Sequence, residues 1–145
     1  MLSDEEILEH LKNEEIKITP FETSCLTPAG YDLRSSSEVA IKPKQYELTA
    51  TLETVELDLK TMGSLHIRSS LAREGIFGSF AVVDPGFRGQ LTLNLHNAGE
   101  KEITIKEGEP IVQIVFHKLG SPAKKGYRGL YQNSRGIVPS KRQKL

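Results

Sequence analysis

Cysteine is almost absent from this chain of 145 residues, where Cys25 stands alone. One thiol forms no intrachain disulfide, and a reducing, cytoplasmic setting is the expectation. The same count excludes the zinc site of the common nucleobase deaminases, which needs a Pro-Cys-x-x-Cys element beside a His-x-Glu or Cys-x-Glu. Histidines 10, 66, 96 and 117 do not make up the deficit, since they show no close metal-ligand spacing. Net charge is missing too: 19 basic residues balance 19 acidic ones. That argues against a nucleic-acid binder and leaves only local basic clusters, such as Lys141-Arg142 with Lys144. No apolar run approaches the ~18 residues of a membrane span, so no membrane partner is expected. The opening Met-Leu-Ser-Asp-Glu-Glu is too acidic for a signal peptide. No glycine-rich loop ends in Gly-Lys-Ser or Gly-Lys-Thr, and no Gly-x-Gly-x-x-Gly follows a strand.

What is present is the composition of one soluble domain, 26% charged and 37% hydrophobic. A chain of this length buries roughly two thirds of its unfolded surface. Helix is predicted only at residues 1–14. Ser3 stands three positions before Glu6 as a capping box requires, and Ile7, Leu8 and Leu11 form one apolar stripe. Short β-like runs punctuated by Gly, Pro and Asn follow. The clearest is 90–96, whose leucines alternate with polar residues. Other predicted strands are Val39–Lys42, Tyr46–Thr51, Val55–Leu59, Ser64–Arg68, Ser79–Val83, Glu102–Lys106 and Ile111–His117. Asp84-Pro85-Gly86-Phe87 reads as a tight turn joining two strands in a hairpin. Many short strands imply an all-β sandwich or jelly roll. The segment 120–145, rich in Gly, Lys and Arg, is expected to extend away from this single domain.

Four segments carry polar residues that a β-domain does not need for folding: Ala29–Arg34, Arg68–Arg73, Val83–Gly89 and Glu107–Gln113. Each alone is equally readable as a turn or cap. Together their chemistry is complementary. Arg68 offers a planar fork for phosphate oxygens, Ser69 and Ser70 add hydroxyls, and Gln113 adds an amide. Asp32 and Asp84 can hold the waters of a hard cation or accept a proton.

In this order and spacing the segments resemble the dUTP diphosphatase and dCTP deaminase superfamily across nearly the whole chain. The opening Leu-Ser-Asp-Glu-Glu-Ile and the Tyr131…Gly136 tail are similar to the deaminase and archaeal diphosphatase branch. The resemblance implies a distorted jelly roll with a short N-terminal helix, assembled as a homotrimer with active sites between subunits, and a deoxyribonucleoside triphosphate substrate. Deaminase-like proteins carry glutamate in a Thr-Leu-Glu-Leu strand, where it shuttles protons. Here the strand reads Thr92-Leu93-Asn94-Leu95, and an amide exchanges no proton at neutral pH. The short span between Asp32 and Arg68 points the same way, since deaminases usually carry an insertion there. The expected activity is therefore hydrolysis of dUTP to dUMP and pyrophosphate with Mg2+. In that reading Asp84 activates the water and Asp32 steadies the metal's water shell from the outer sphere. Arg68, Ser69, Ser70, Arg73 and Gln113 would hold phosphates. Phe87 would pack beneath the deoxyribose, and Asn94 and Tyr131 would complete the substrate contacts. The alternatives are a dCTP deaminase, alone or bifunctional, and a non-catalytic nucleotide-binding trimer.

Overall fold

A computed structural model describes residues 1–142; Lys144 of the terminal basic cluster lies outside the described residues. The predicted helix forms as α1 (Asp4–Lys12). Ser3 Oγ accepts from Glu6 N at 3.3 Å, and Glu6 Oε2 accepts from Ser3 N at 2.8 Å. Such a cap contributes about 1 kcal/mol. The helix buries Ile7 completely, and Leu2 N donates to Phe116 O at 2.9 Å, which ties the N-terminus to the core.

The strands are β1 (Ile16–Thr19), β2 (Leu26–Thr27), β3 (Gly30–Arg34), β4 (Val39–Ile41) and β5 (Tyr46–Leu57). They continue with β6 (Thr61–Ile67), β7 (Ile76–Phe77), β8 (Arg88–Asn97), β9 (Ile103–Ile105) and β10 (Pro110–Lys118). A short helix, α2 (Ser69–Arg73), follows β6. Two four-stranded antiparallel sheets, ordered β1-β5-β8-β7 and β2-β3-β10-β6, are joined by the pair β4-β9. Neighbours that are distant in sequence mean the chain crosses repeatedly between sheets, as a jelly roll requires. Leu93 and Leu95 of β8, Leu33 of β3, and Ile114 and Phe116 of β10 are buried in the shared core. The alternation read in β8 is thus real: its leucine face packs inward and its polar face points outward.

Four expectations need correction. Tyr46–Thr51 and Val55–Leu59 are not separate strands but one, β5, interrupted by a register shift between Ala50 and Thr54. Ser79–Val83 is not a strand. Its only ladder contact is the bridge between Val83 and Gly63, and Ala81 and Val82 are exposed. The turn at Asp84 therefore leads into β8 without closing a paired hairpin, because the partners of β8 are β5 and β7. Finally, the tail does not extend away. Residues 132–138 return along β8, with a parallel bridge between Gly89 and Ser134.

Candidate active site

A cavity of about 740 Å³ opens on the outward face of β8, within the ~300–1,000 Å³ range of small-ligand sites. Gln90, Thr92 and Asn94 line it from β8, Ala81–Asp84 and Phe87 from the turn, and Tyr131, Ser134 and Val138–Ser140 from the tail. Asp84 is exposed, and its backbone oxygen accepts from Phe87 N at 3.1 Å to close the turn. Gly86 is required there: its φ is +80°, and a Cβ would stand 2.7 Å from the Gly126 Cα. Phe87 is 6% exposed and meets Tyr127 edge to face, with ring centroids 5.6 Å apart. The Asn94 Oδ1 accepts from Ser79 N at 3.2 Å. Tyr131 OH accepts from Lys141 N at 3.0 Å, so the tail doubles back upon itself at the rim.

The expected phosphate residues gather elsewhere. None of Arg68, Ser69, Ser70, Arg73 or Gln113 lines this cavity. Arg68 Nε lies 3.1 Å from Asp32 Oδ2, and Asp32 pairs in register with Gln113, whose Nε2 donates to Thr27 Oγ1 at 2.6 Å. Ser69 and Ser70 are exposed in α2, and Arg73 donates to Ser69 O at 3.3 Å. Burial pushes the Asp32 carboxyl above its ordinary value, and the Arg68 guanidinium pulls it partly back. These groups do not build a site for a resident magnesium ion. Asp32 is already engaged by Arg68, and among the described residues no three His, Cys, Asp or Glu side chains converge on a metal position.

Residues 35–119 match the dCTP deaminase-like family. The dCTP deaminase of Pyrococcus abyssi is 51% identical over 144 residues, covering 89% of this chain and 94% of that one. The chain belongs to the dCTP deaminase-like family. Its fold is shared with the 2'-deoxycytidine 5'-triphosphate deaminase of Agrobacterium tumefaciens, at TM-score 0.70 and 18% identity. That match covers 82% of this chain and 48% of the other, so the chain spans about half of that protein. The dUTPase of Staphylococcus bacteriophage 80alpha superposes at TM-score 0.62 and 19% identity, covering 81% and 98%. At such identities the likeness shows the fold alone, and it is the jelly roll expected from sequence.

Membership corrects the expected diphosphatase activity, because the family matched and the relative at 51% identity both carry the deaminase name. Two inferences led astray. Compactness does not separate the branches, since this short chain covers 94% of that relative. Asn94 leaves its own strand without a carboxylate but not the cavity, since the turn brings Asp84 to the same cavity as Asn94.

Sequence reasoning also missed residues that shape the site of this family member. Gln132 Oε1 accepts from Arg88 N at 2.9 Å, and its Nε2 donates to Gly86 O at 2.8 Å, pinning the tail to the turn. Glu53, fully buried, accepts from both Arg34 N (2.9 Å) and Arg34 Nε (2.6 Å), joining β5 to β3. Glu53 sits in the register shift of β5, where no periodicity marks it. Gln132 was legible only as part of a tail motif.

Proposed function

We propose that the protein is a dCTP deaminase, replacing the 4-amino group of cytosine with oxygen from water to give dUTP and ammonia. The observation that carries this reading is that Asp84 is, among the described residues, the one carboxylate lining the cavity on β8, opposite an otherwise amide, hydroxyl and apolar surface. Deamination needs a group that takes a proton from the attacking water and delivers protons to the ring nitrogen and the departing amine. Asn94 cannot cycle a proton, but its amide donates and accepts, which suits the pyrimidine edge. Asp84 supplies the proton carrier from the other wall. Phe87 and its partner Tyr127 form the apolar surface against which the sugar rests.

The triphosphate needs a separate grip, and Arg68, Ser69, Ser70, Arg73 and Gln113 provide one outside this cavity. A nucleotide held at both ends therefore draws its base pocket from one copy of the chain and its phosphate cluster from another. A closed ring of three is the assembly proposed, and cyclic closure lets every copy contribute both halves once. The enzyme is supplied with dCTP, and each turnover is scored separately for ammonia and for pyrophosphate. Stoichiometric ammonia with dUTP as product supports the reading. Ammonia accompanied by dUMP and pyrophosphate identifies the bifunctional form. No ammonia from dCTP under any metal condition rejects it.

A further inference from the structure

The sheet β2-β3-β10-β6 carries two histidines on its outward face that the chemistry above does not use. We infer that His66, Ser64 and His117 form a binding site for a late first-row divalent cation such as Zn2+, Ni2+ or Cu2+, one ion per chain. His117 Nε2 lies 3.0 Å from Ser64 Oγ, and His66 Nε2 lies 3.3 Å from the same oxygen. Far apart in sequence, the two histidines meet because β6 pairs with β10. Ser64 stands opposite Val115, His66 opposite Gln113, and His117 opposite Met62. Ser64 and His66 are two positions apart on β6 and so share a face, while the buried Phe116 turns its neighbour His117 outward to meet them.

A hydroxyl has one proton, so Ser64 can satisfy the Nε2 lone pair of only one neutral ring. A cation takes the lone pairs of both. The spacing suits it: two donors about 2.1 Å from one ion, at adjacent corners of its shell, stand about 3.0–3.4 Å apart. His66 is exposed and has room to turn its ring to the shared point. Among the described residues no carboxylate forms an ion pair with either ring. The donors are therefore two imidazoles and one hydroxyl, with water completing the shell. Imidazole selects late first-row metals, whereas Mg2+ and Ca2+ take oxygen. Because β6 ends its sheet and pairs there with β10 alone, an ion held across the two strands fastens the edge strand that leads to Arg68. It stabilises the fold in proportion to its occupancy. The site does not depend on the deaminase reading.

The test titrates untagged, chelator-treated, full-length protein with Zn2+ by calorimetry and follows Tm in parallel. Wild type should bind one Zn2+ per chain and, at saturation, melt higher by about 5 °C or more. His66→Gln and His117→Gln leave Ser64 a hydrogen-bonding partner but remove a ligand. Each should weaken Zn2+ binding by at least about tenfold, the cost of losing a mere supporting contact, and cancel the rise in Tm. His96→Ala, on the other sheet, should bind Zn2+ as wild type does. With Cu2+, electron paramagnetic resonance should resolve coupling to two nitrogens in wild type and to one in His66→Gln. No Zn2+ uptake by wild type, undiminished binding in the Gln variants, or one ion per three chains overturns the inference. Displacement of Zn2+ by an equal amount of Mg2+ overturns it too, since the site would then prefer oxygen chemistry. Should one Gln variant fail to fold, the other decides.

Discussion

Asp84 stands on a turn whose backbone is tied down on every side, whereas the Arg68 side chain is held by one ion pair. Around Asp84, Gly86 N donates to Leu57 O and Asp58 O at 3.1 and 3.0 Å, Tyr127 N donates to Pro85 O at 2.8 Å, and Gln132 bonds both Gly86 and Arg88. The Arg68 side chain, 39% exposed, answers among the described residues only to Asp32. The difference matches what the two proposed roles require. A proton carrier has to meet a reacting atom within a few tenths of an ångström, and backbone closure supplies that placement. A phosphate grip has to surrender a resident partner when the ligand arrives, and a half-exposed guanidinium can exchange Asp32 for phosphate oxygens.

The largest effect expected lies on the fixed side. Asp84→Asn keeps size and hydrogen bonding but removes the proton acceptor, so the rate of ammonia release should fall by about 10²- to 10⁴-fold. Binding of dCTP should persist. Retention of most of the turnover assigns proton transfer elsewhere. On the Arg68 side, Arg68→Ala should weaken dCTP binding by about tenfold to a hundredfold, the range for losing a charge-assisted contact. Dissociating and mixing equal amounts of these two variants sharpens the contrast. Sites shared between copies regain about a quarter of wild-type activity, whereas sites confined to one chain regain nothing.

Between the two regions lies Glu53, which holds β3, the strand of Asp32, to β5. Glu53→Gln leaves Arg34 without its counter-charge and should cost about 3 kcal/mol, seen as a Tm lower by roughly 10 °C. An unchanged Tm means that the two sheets need no such link. The smallest effect concerns Asp32. Because burial raises its carboxyl above 3.8, the native state binds that proton more tightly than the unfolded chain. Ionising Asp32 therefore lowers stability, and the loss grows as pH rises through its raised value. Asp32→Asn should melt slightly higher than wild type near neutral pH, with the gain vanishing toward about pH 4. Melting curves whose difference stays constant with pH contradict that assignment.

Where a structural signal was local, the sequence displayed it. The capping box of α1, the alternating leucines of β8 and the Pro-Gly turn after Asp84 each declare themselves within a few residues. The path of the tail was illegible for the opposite reason. Its anchors join Gln90 to Gly136 and Thr92 to Val138, 46 residues apart in both cases, and no local pattern encodes such a pairing. The Ser79–Val83 run misled because Ala81 and Val82 face a cavity and Val83 alone bridges a neighbouring strand, at Gly63. Asn94 misled in a deeper way. Strand periodicity tells which residues share a face of one strand, but not which residue a distant turn will place across from it.

The lone thiol makes the molecule its own stopwatch. Cys25 is 3% exposed at the end of a 3-10 turn leading into β2, and burial pushes its thiol further from ionisation. A thiol-reactive dye can label it only when that corner of the sheet comes apart. With no second cysteine to contribute background, the labelling rate reports directly how often the corner opens. The same solitude leaves every surface position free for a single engineered cysteine, so a probe placed on the tail would be read without interference from the core.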